Sequence, residues 1–223
     1  MRRALVAWGV VVALTGGLGG AKAAPSPTLA PYASYARGPA REALLDVARE
    51  ALLVAGGRGD SLRVQAPDWP AAPRPVFVTL AHGGATRACL GRDEPAGSLT
   101  ATVRAIAGEL LVADRRRPPV PVEELESLQL TIAFVGDERP LADPYAIDPM
   151  REGLRVETER GAVAFLPGEA RTVAWALGEA RRIGVLRSLA DARYTRFSVV
   201  VVSGPAVVPT VRSVPPPHVE VHP

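Results

Sequence analysis

Arg87 and Cys89 stand two residues apart in the run Val-Phe-Val-Thr-Leu-Ala-His-Gly-Gly-Ala-Thr-Arg-Ala-Cys-Leu-Gly at 76–91, and Cys89 is the only cysteine of the chain. A cation beside a thiol lowers its pKa and makes a nucleophilic thiolate available. The run reads as two short strands around Gly83-Gly84. Strand side chains alternate between faces, so Arg87 and Cys89 are expected on one side of a sheet. Thr79, on the first strand, is expected near the same surface. Cys89 is therefore the candidate for thiolate catalysis, and Arg87, Cys89 and Thr79 are the candidates for binding. No general base is specified, because His82 falls in the hairpin turn and His218 and His222 fall near the C-terminus.

Each candidate also has a plain structural reading. Free cysteine is commonly a small buried hydrophobe. A strand arginine needs a partner, and Asp114, Glu124 and Glu152 are the acids available, with an anion site as the alternative. Asp114 and Arg116 read as residues that cap and pair a helix end. Two histidines near the chain end do not make a metal site. The sequence has no Walker loop, dinucleotide fingerprint, His-Glu-x-x-His or Gly-x-Ser-x-Gly, and no cofactor is expected.

The elements that position these residues follow from periodicity. Residues 39–55 form an amphipathic helix, with Leu44, Leu45, Ala48, Ala51, Leu52 and Ala55 on one face and Pro39 in the first turn. Residues 58–75 read as loop, with Trp69 as a packing anchor. After the hairpin, Ser98 caps a helix to Asp114, and Pro118-Pro119-Val120-Pro121 forces an extended link. A short helical turn at 122–128 precedes a strand carrying Leu130, Ile132 and Phe134. A second hairpin joins 154–157 to 162–166. A helix then runs from Pro167-Gly168 to Ile183, with Val173, Trp175 and Ala176 inward, and 196–202 form a last strand. Two hairpins interleaved with helices imply antiparallel pairing and an α+β fold with a mainly antiparallel sheet and flanking helices.

The chain ends are read separately. Arg2-Arg3, the apolar run 4–14 and Ala21-Lys22-Ala23 have the form of a signal peptide over 1–23. The run is shorter than the roughly 20 residues a spanning helix needs, so no stable membrane span is expected after cleavage and the protein is expected to be periplasmic or extracellular, with a retained N-terminal anchor as the alternative. Residues 24–38 read as a flexible leader, 39–202 as the folded domain and 203–223 as a proline-rich tail. Three of the 26 Lys+Arg residues, and no acid, lie in the signal, leaving 23 against 23 Asp+Glu. Such a balance offers no electrostatic footprint for nucleic acid. One cysteine cannot form an internal disulfide, so packing alone must hold the fold.

Over 39–202 the residues resemble the AMMECR domain family. Its hallmark is a Phe-Val-Thr-Leu strand followed by Leu-Arg-Gly-Cys-Ile-Gly, here Phe77-Val78-Thr79-Leu80 and Thr86-Arg87-Ala88-Cys89-Leu90-Gly91. A second element, Asp-Pro-Arg-Phe-x-Pro before Glu-Leu, is similar to Asp114–Pro119 and Glu124-Leu125. A third, a Gly-Leu strand before Gly-x-Leu-Leu-Pro, is similar to Gly153-Leu154 and Gly161–Pro167. Thr86, Ala88, Arg117 and Glu152 depart from the family pattern, while Arg87 and Cys89 keep it.

The resemblance implies an AMMECR-like α+β fold with a main sheet and a smaller lobe, and no established reaction; with the signal peptide, the chain reads as an exported bacterial-type member. Relatives are associated with a Memo-like protein and a radical S-adenosylmethionine protein, which implies an accessory role. An exported copy would not meet a cytoplasmic radical enzyme. The reading is an exported ligand- or protein-binding accessory module with a pocket at Arg87 and Cys89, its partner an unknown protein or small ligand. The alternatives are an enzyme using the Cys89 thiolate and a purely structural interaction domain.

Overall fold

The computed structural model describes residues 28–59, 64, 74–93, 97–114 and 116–208. The expected signal peptide, Trp69, His218 and His222 lie outside the described residues. Helix α1 (Gly38–Ala55) carries Pro39 in its first turn and buries Leu44, Leu45, Ala48, Ala51 and Leu52 along one stripe. Strands β1 (Val76–His82) and β2 (Ala85–Arg92) follow. They are joined through Gly83 and Gly84 at φ 55° and 82°, a left-handed backbone that glycine adopts without a side-chain penalty. Helix α2 (Leu99–Ala113) begins where the Ser98 hydroxyl accepts the Ala101 N–H.

Strands β3 (Gln129–Leu141), β4 (Gly153–Thr158) and β5 (Gly161–Phe165), helix α3 (Val173–Arg182) and strand β6 (Arg193–Pro205) complete the order. The expected α+β class is observed. The six strands form one antiparallel sheet in the order β2-β1-β3-β6-β4-β5.

A bulge gives this sheet its curl. Val135 faces Val199 and Glu138 faces Phe197, so Gly136 and Asp137 lie opposite the single residue Ser198. A bulge bends its strand and increases the local twist. Above it β3 pairs with β1, and beyond it β6 pairs with β4. One face of the first half packs on α1 and α2 through Leu44, Leu52, Ile106, Leu110, Val78 and Ile132. The smaller lobe packs Leu154, Val156, Phe165, Ala176, Leu177 and Tyr194 together. Between them, on the concave face, Cys89, Ala133, Val135, Leu166 and Phe197 form a third cluster against Phe77 and Ala164. The two terminal strands, β2 and β5, thus approach each other across a seam.

Several expected boundaries are corrected. The leader assigned to 24–38 contributes Leu29 and Tyr32 to the core, 2% and 6% exposed, from a 3-10 helix at Ala30–Ala36. Tyr32 stacks on Phe134 with centroids 4.9 Å apart, so this segment covers apolar sheet surface that would otherwise be wet. The domain also does not end at 202. β6 continues to Pro205, with Ser203 opposite Thr131 and Gly204 opposite Leu130, and Ala206 is fully buried. Helix α3 starts at Val173 rather than at Pro167, because Thr172 supplies the cap by accepting the Trp175 N–H. Trp175, expected inward, is 43% exposed and touches Phe165 edge-on. Among the described residues no helix is long and apolar enough to cross a membrane.

Candidate functional site

Cys89 sits on β2 directly opposite Thr79 of β1, and the Thr79 hydroxyl donates to its sulfur at 3.2 Å. Its backbone is engaged on the outer edge of β2. The Cys89 N–H donates to Asp114 Oδ2 at 2.9 Å, and its carbonyl accepts from Arg116 at 3.4 Å. Asp114 ends α2, and its other oxygen accepts the Arg116 backbone N–H at 2.9 Å. The Arg116 guanidinium returns to Asp114 at 3.1 Å and reaches Glu169 at 3.5 Å. Glu169 in turn accepts the Leu166 N–H, fixing the chain just after β5. Arg116 therefore spans the seam at its deep end, tied to the β2 side by Asp114 and to the β5 side by Glu169.

The electrostatics follow from burial. Burial, with Glu169 and Asp114 close by, pushes the Cys89 thiol up to about 12, against the opposing pull of Arg116 and the Thr79 hydroxyl. At neutral pH the sulfur is a thiol. Burial alone would raise Asp114, but the Arg116 guanidinium and the backbone N–H groups of Cys89 and Arg116 outweigh it and hold the carboxyl low. Glu169 goes the other way: burial raises it, and Arg116 offsets this only in part. The cation expected beside Cys89 is thus Arg116, not Arg87.

Arg87 occupies a different setting. The β1–β2 register pairs Leu80 with Ala88 and Ala81 with Thr86, so Arg87 is the extra residue of a bulge. Alternation of faces holds only in an uninterrupted strand, so spacing alone does not put Arg87 beside Cys89. Its Nε bonds Glu124 at 2.8 Å, and its two terminal nitrogens donate to the carbonyls of Pro118 and Pro119, each at 2.8 Å. Of the three acids considered from sequence, Glu124 is the partner. Glu152 pairs with Arg196 instead, at 3.4 Å. Arg87 thereby straps the proline link against the hairpin, and all three of its nitrogens are engaged.

The same concave face opens one pair further along the strands. Phe77 faces Gly91 in register, two residues beyond the Thr79–Cys89 pair. These two residues and Asp93 form one side of a cleft of about 170 Å³, and Arg155 with residues 162–164 forms the other. Arg155 closes its mouth by a two-pronged ion pair to Asp93, at 2.8 and 2.7 Å. Asp93, Arg155 and Glu169 were not singled out from sequence. Arg155 had a visible signal, since it alternates with Leu154 and Val156 and must leave the apolar face they share. Among the described residues no group of three or more His, Cys, Asp or Glu side chains could hold a metal ion.

A buried thiol makes a direct prediction. Cys89, 7% exposed, is expected to resist alkylation at pH 8, where an ordinary thiol of pKa about 8.5 reacts readily. Labelling should appear when urea unfolds the chain. Rapid labelling of the native protein in a mass-spectrometric time course would show that the sulfur is open to solvent.

The family model described as AMMECR1 matches residues 45–200, spanning the hairpin, the Asp114–Arg116 strap and the seam. A protein of Methanothermobacter thermautotrophicus is 32% identical over 152 residues, covering 65% of this chain and 79% of that one. A protein of Aeropyrum pernix is 29% identical over 143 residues, covering 60% and 62%. The crystal structure of the uncharacterized protein PH0010 from Pyrococcus horikoshii shares the fold, with a TM-score of 0.54 at 22% identity, over 71% of this chain and 88% of that one. On this match, spread over most of the folded domain, the chain belongs to the AMMECR1 family.

Proposed function

We propose that the chain is an exported ligand- or protein-binding accessory module whose site is the seam between β2 and β5. Thr79 and Cys89 lie two residues from the cleft on the same two strands, and Arg87 steadies the proline link beside them. The observation that carries this reading is the cleft itself. It lies one same-face pair along from Cys89 and is lined by Phe77, Gly91, residues 162–164 and the Arg155–Asp93 ion pair, with more polar than apolar surface exposed. Binding sites are commonly concave, with a few placed polar groups that fix a ligand's orientation. The thiolate alternative is disfavoured, because a thiol pushed up to about 12 is almost wholly protonated at neutral pH.

Methyl-labelled protein screened against a chemically mixed set of small molecules tests the site. Saturable shifts at Ala162, Val163 and Ala164 are expected for at least one compound class. Responses confined to other surfaces, or none, would overturn the seam as the site. The basic start at Arg2-Arg3 and the apolar run at 4–14 support export. N-terminal sequencing of the isolated protein should then begin at Ala24 or one or two residues later, and an intact Met1 would contradict cleavage.

A further inference from the structure

The seam has two edges, and they differ in how their backbone is occupied. On β2 the outward N–H and C=O of Cys89 are taken by Asp114 and Arg116. The facing strand β5 is the other end of the sheet and pairs with β4 alone. Successive residues of an antiparallel strand turn their N–H and C=O toward opposite neighbours. The Glu159-Arg160 turn closes on the pair Thr158–Gly161, which turns Gly161, Val163 and Phe165 toward β4. The Leu166 N–H donates away from β4, to Glu169. Both observations aim the backbone groups of Ala162 and Ala164 into the seam, where no partner among the described residues meets them.

We infer that this edge takes up an extended peptide segment of a partner protein as an added strand, paired with Ala162 and Ala164. The inference rests on the seam being the binding site. An open strand edge is a template for strand addition, in which main-chain hydrogen bonds supply affinity and alternate side chains supply selectivity. The surroundings select those side chains. On the concave face the cleft offers about 170 Å³ beneath the Arg155–Asp93 pair. That is the room of about six waters at roughly 30 Å³ each, so small residues fit there. On the opposite face Val163 and Phe165 point into the small-lobe core, and Trp175 stands edge-on to Phe165 with 43% of its surface exposed. A branched apolar residue can lie against that ring. The segment therefore alternates small and branched apolar residues. A second copy of this chain is the poorer occupant, because β5 is only five residues long and a stable interface between folded copies needs roughly 1,000 Å².

The test follows amide hydrogen exchange of the unaltered protein with and without the end-capped peptide Lys-Val-Ala-Val-Ala-Val-Lys. In the free protein the Ala162 and Ala164 amides should exchange fast, and those of Val163 and Phe165 slowly. With about nine-tenths of the protein bound, exchange at Ala162 and Ala164 should slow by about tenfold. A counterpart N-methylated at its valines and alanines keeps the side chains, lacks the donors, and should leave exchange unchanged. Ala164→Pro removes an outward N–H, keeps the β4 ladder, and should abolish binding. Protection of Ala162 and Ala164 in the dilute free protein, no slowing with the peptide, equal binding of the N-methylated peptide, or retained binding in Ala164→Pro would each overturn the assignment. Protection that appears without peptide as the protein is concentrated would make a second copy the occupant and overturn the peptide. The two peptides are compared on the unaltered protein, so they decide even if the variant fails to fold. A seam that responds to the small-molecule set and not to the peptide overturns strand addition and leaves the seam reading standing. A seam that responds to nothing overturns both.

Discussion

Replacing Arg116 with methionine is expected to destabilise the fold by about 3–5 kcal/mol, the range seen when one partner of a buried charge group is removed. The side chains involved are all deep: Arg116 is 15% exposed, Asp114 4% and Glu169 6%. Methionine keeps most of the packed stem of the arginine, so the loss reports the missing charge. Two buried carboxylates and the Cys89 carbonyl would be left without their shared donor. In urea the midpoint should fall by about 2 M, given a slope of roughly 2 kcal/mol per molar. A midpoint within about 0.5 M of the parent would mean that water already screens the cluster.

The two carboxylates make opposite contributions to the pH dependence. Asp114 is held below its ordinary value of 3.8, so its contribution is present above that pH and is lost as pH falls through the folded value. Glu169 is raised above 4.5, so the folded state holds its proton more tightly than the unfolded state does. Its contribution is present below 4.5 and is lost as pH rises through the folded value. Glu169→Gln should remove that decline while keeping an acceptor for the Leu166 N–H. The decline persisting in the variant would assign it to another group.

The second large effect is expected at Gly153. A Cβ built there lies 2.1 Å from Cε2 and 2.2 Å from Cζ of Phe197, its register partner. Phe197 is 2% exposed and held among Ala133, Val135 and Leu166, so the ring has nowhere to go. Gly→Ala at an ordinary backbone position commonly stabilises by about 0.4–1 kcal/mol through the unfolded chain. Here overpacking should reverse the sign and cost about 1–3 kcal/mol. Gly178→Ala is the control. It lies in α3 with nothing within 4 Å of the added carbon, so thermal unfolding should rise. Pairing Gly153→Ala with Phe197→Leu should recover part of the loss, a coupling of about 0.5–3 kcal/mol. Strict additivity of the two changes would show that the ring is not what excludes a side chain at 153.

Local signals were legible and long-range ones were not. The Gly83-Gly84 turn, the Ser98 cap and the stripe of α1 are fixed by residues a few positions apart, and each lies where periodicity places it. Gly136-Asp137 resembles a strand end but is a bulge within a 13-residue strand, because the partner strand continues past it. Leu29 and Tyr32 sit among prolines and small residues that read as leader, and only the apolar surface at Phe134 calls them inward. The site shows the same division. Opposition of Thr79 and Cys89 follows from one hairpin, whereas Glu169 reaches Arg116 across 53 residues and Arg155 reaches Asp93 across 62. Arg87 was misplaced by a single inserted residue, since period-two alternation has no means of announcing a bulge.

The engagement of Cys89 by Asp114 and Arg116 also bears on how copies of this chain behave toward one another. A terminal strand with free N–H and C=O groups is a template on which another molecule can add a strand, which is the first step of many aggregation routes. On β2 the carboxylate and the guanidinium occupy both groups of Cys89, and the bulge at Arg87 breaks the regular spacing that an incoming strand would need. The Asp114–Arg116 pair thus leaves Cys89 with no open donor or acceptor for an incoming strand, whatever the seam does.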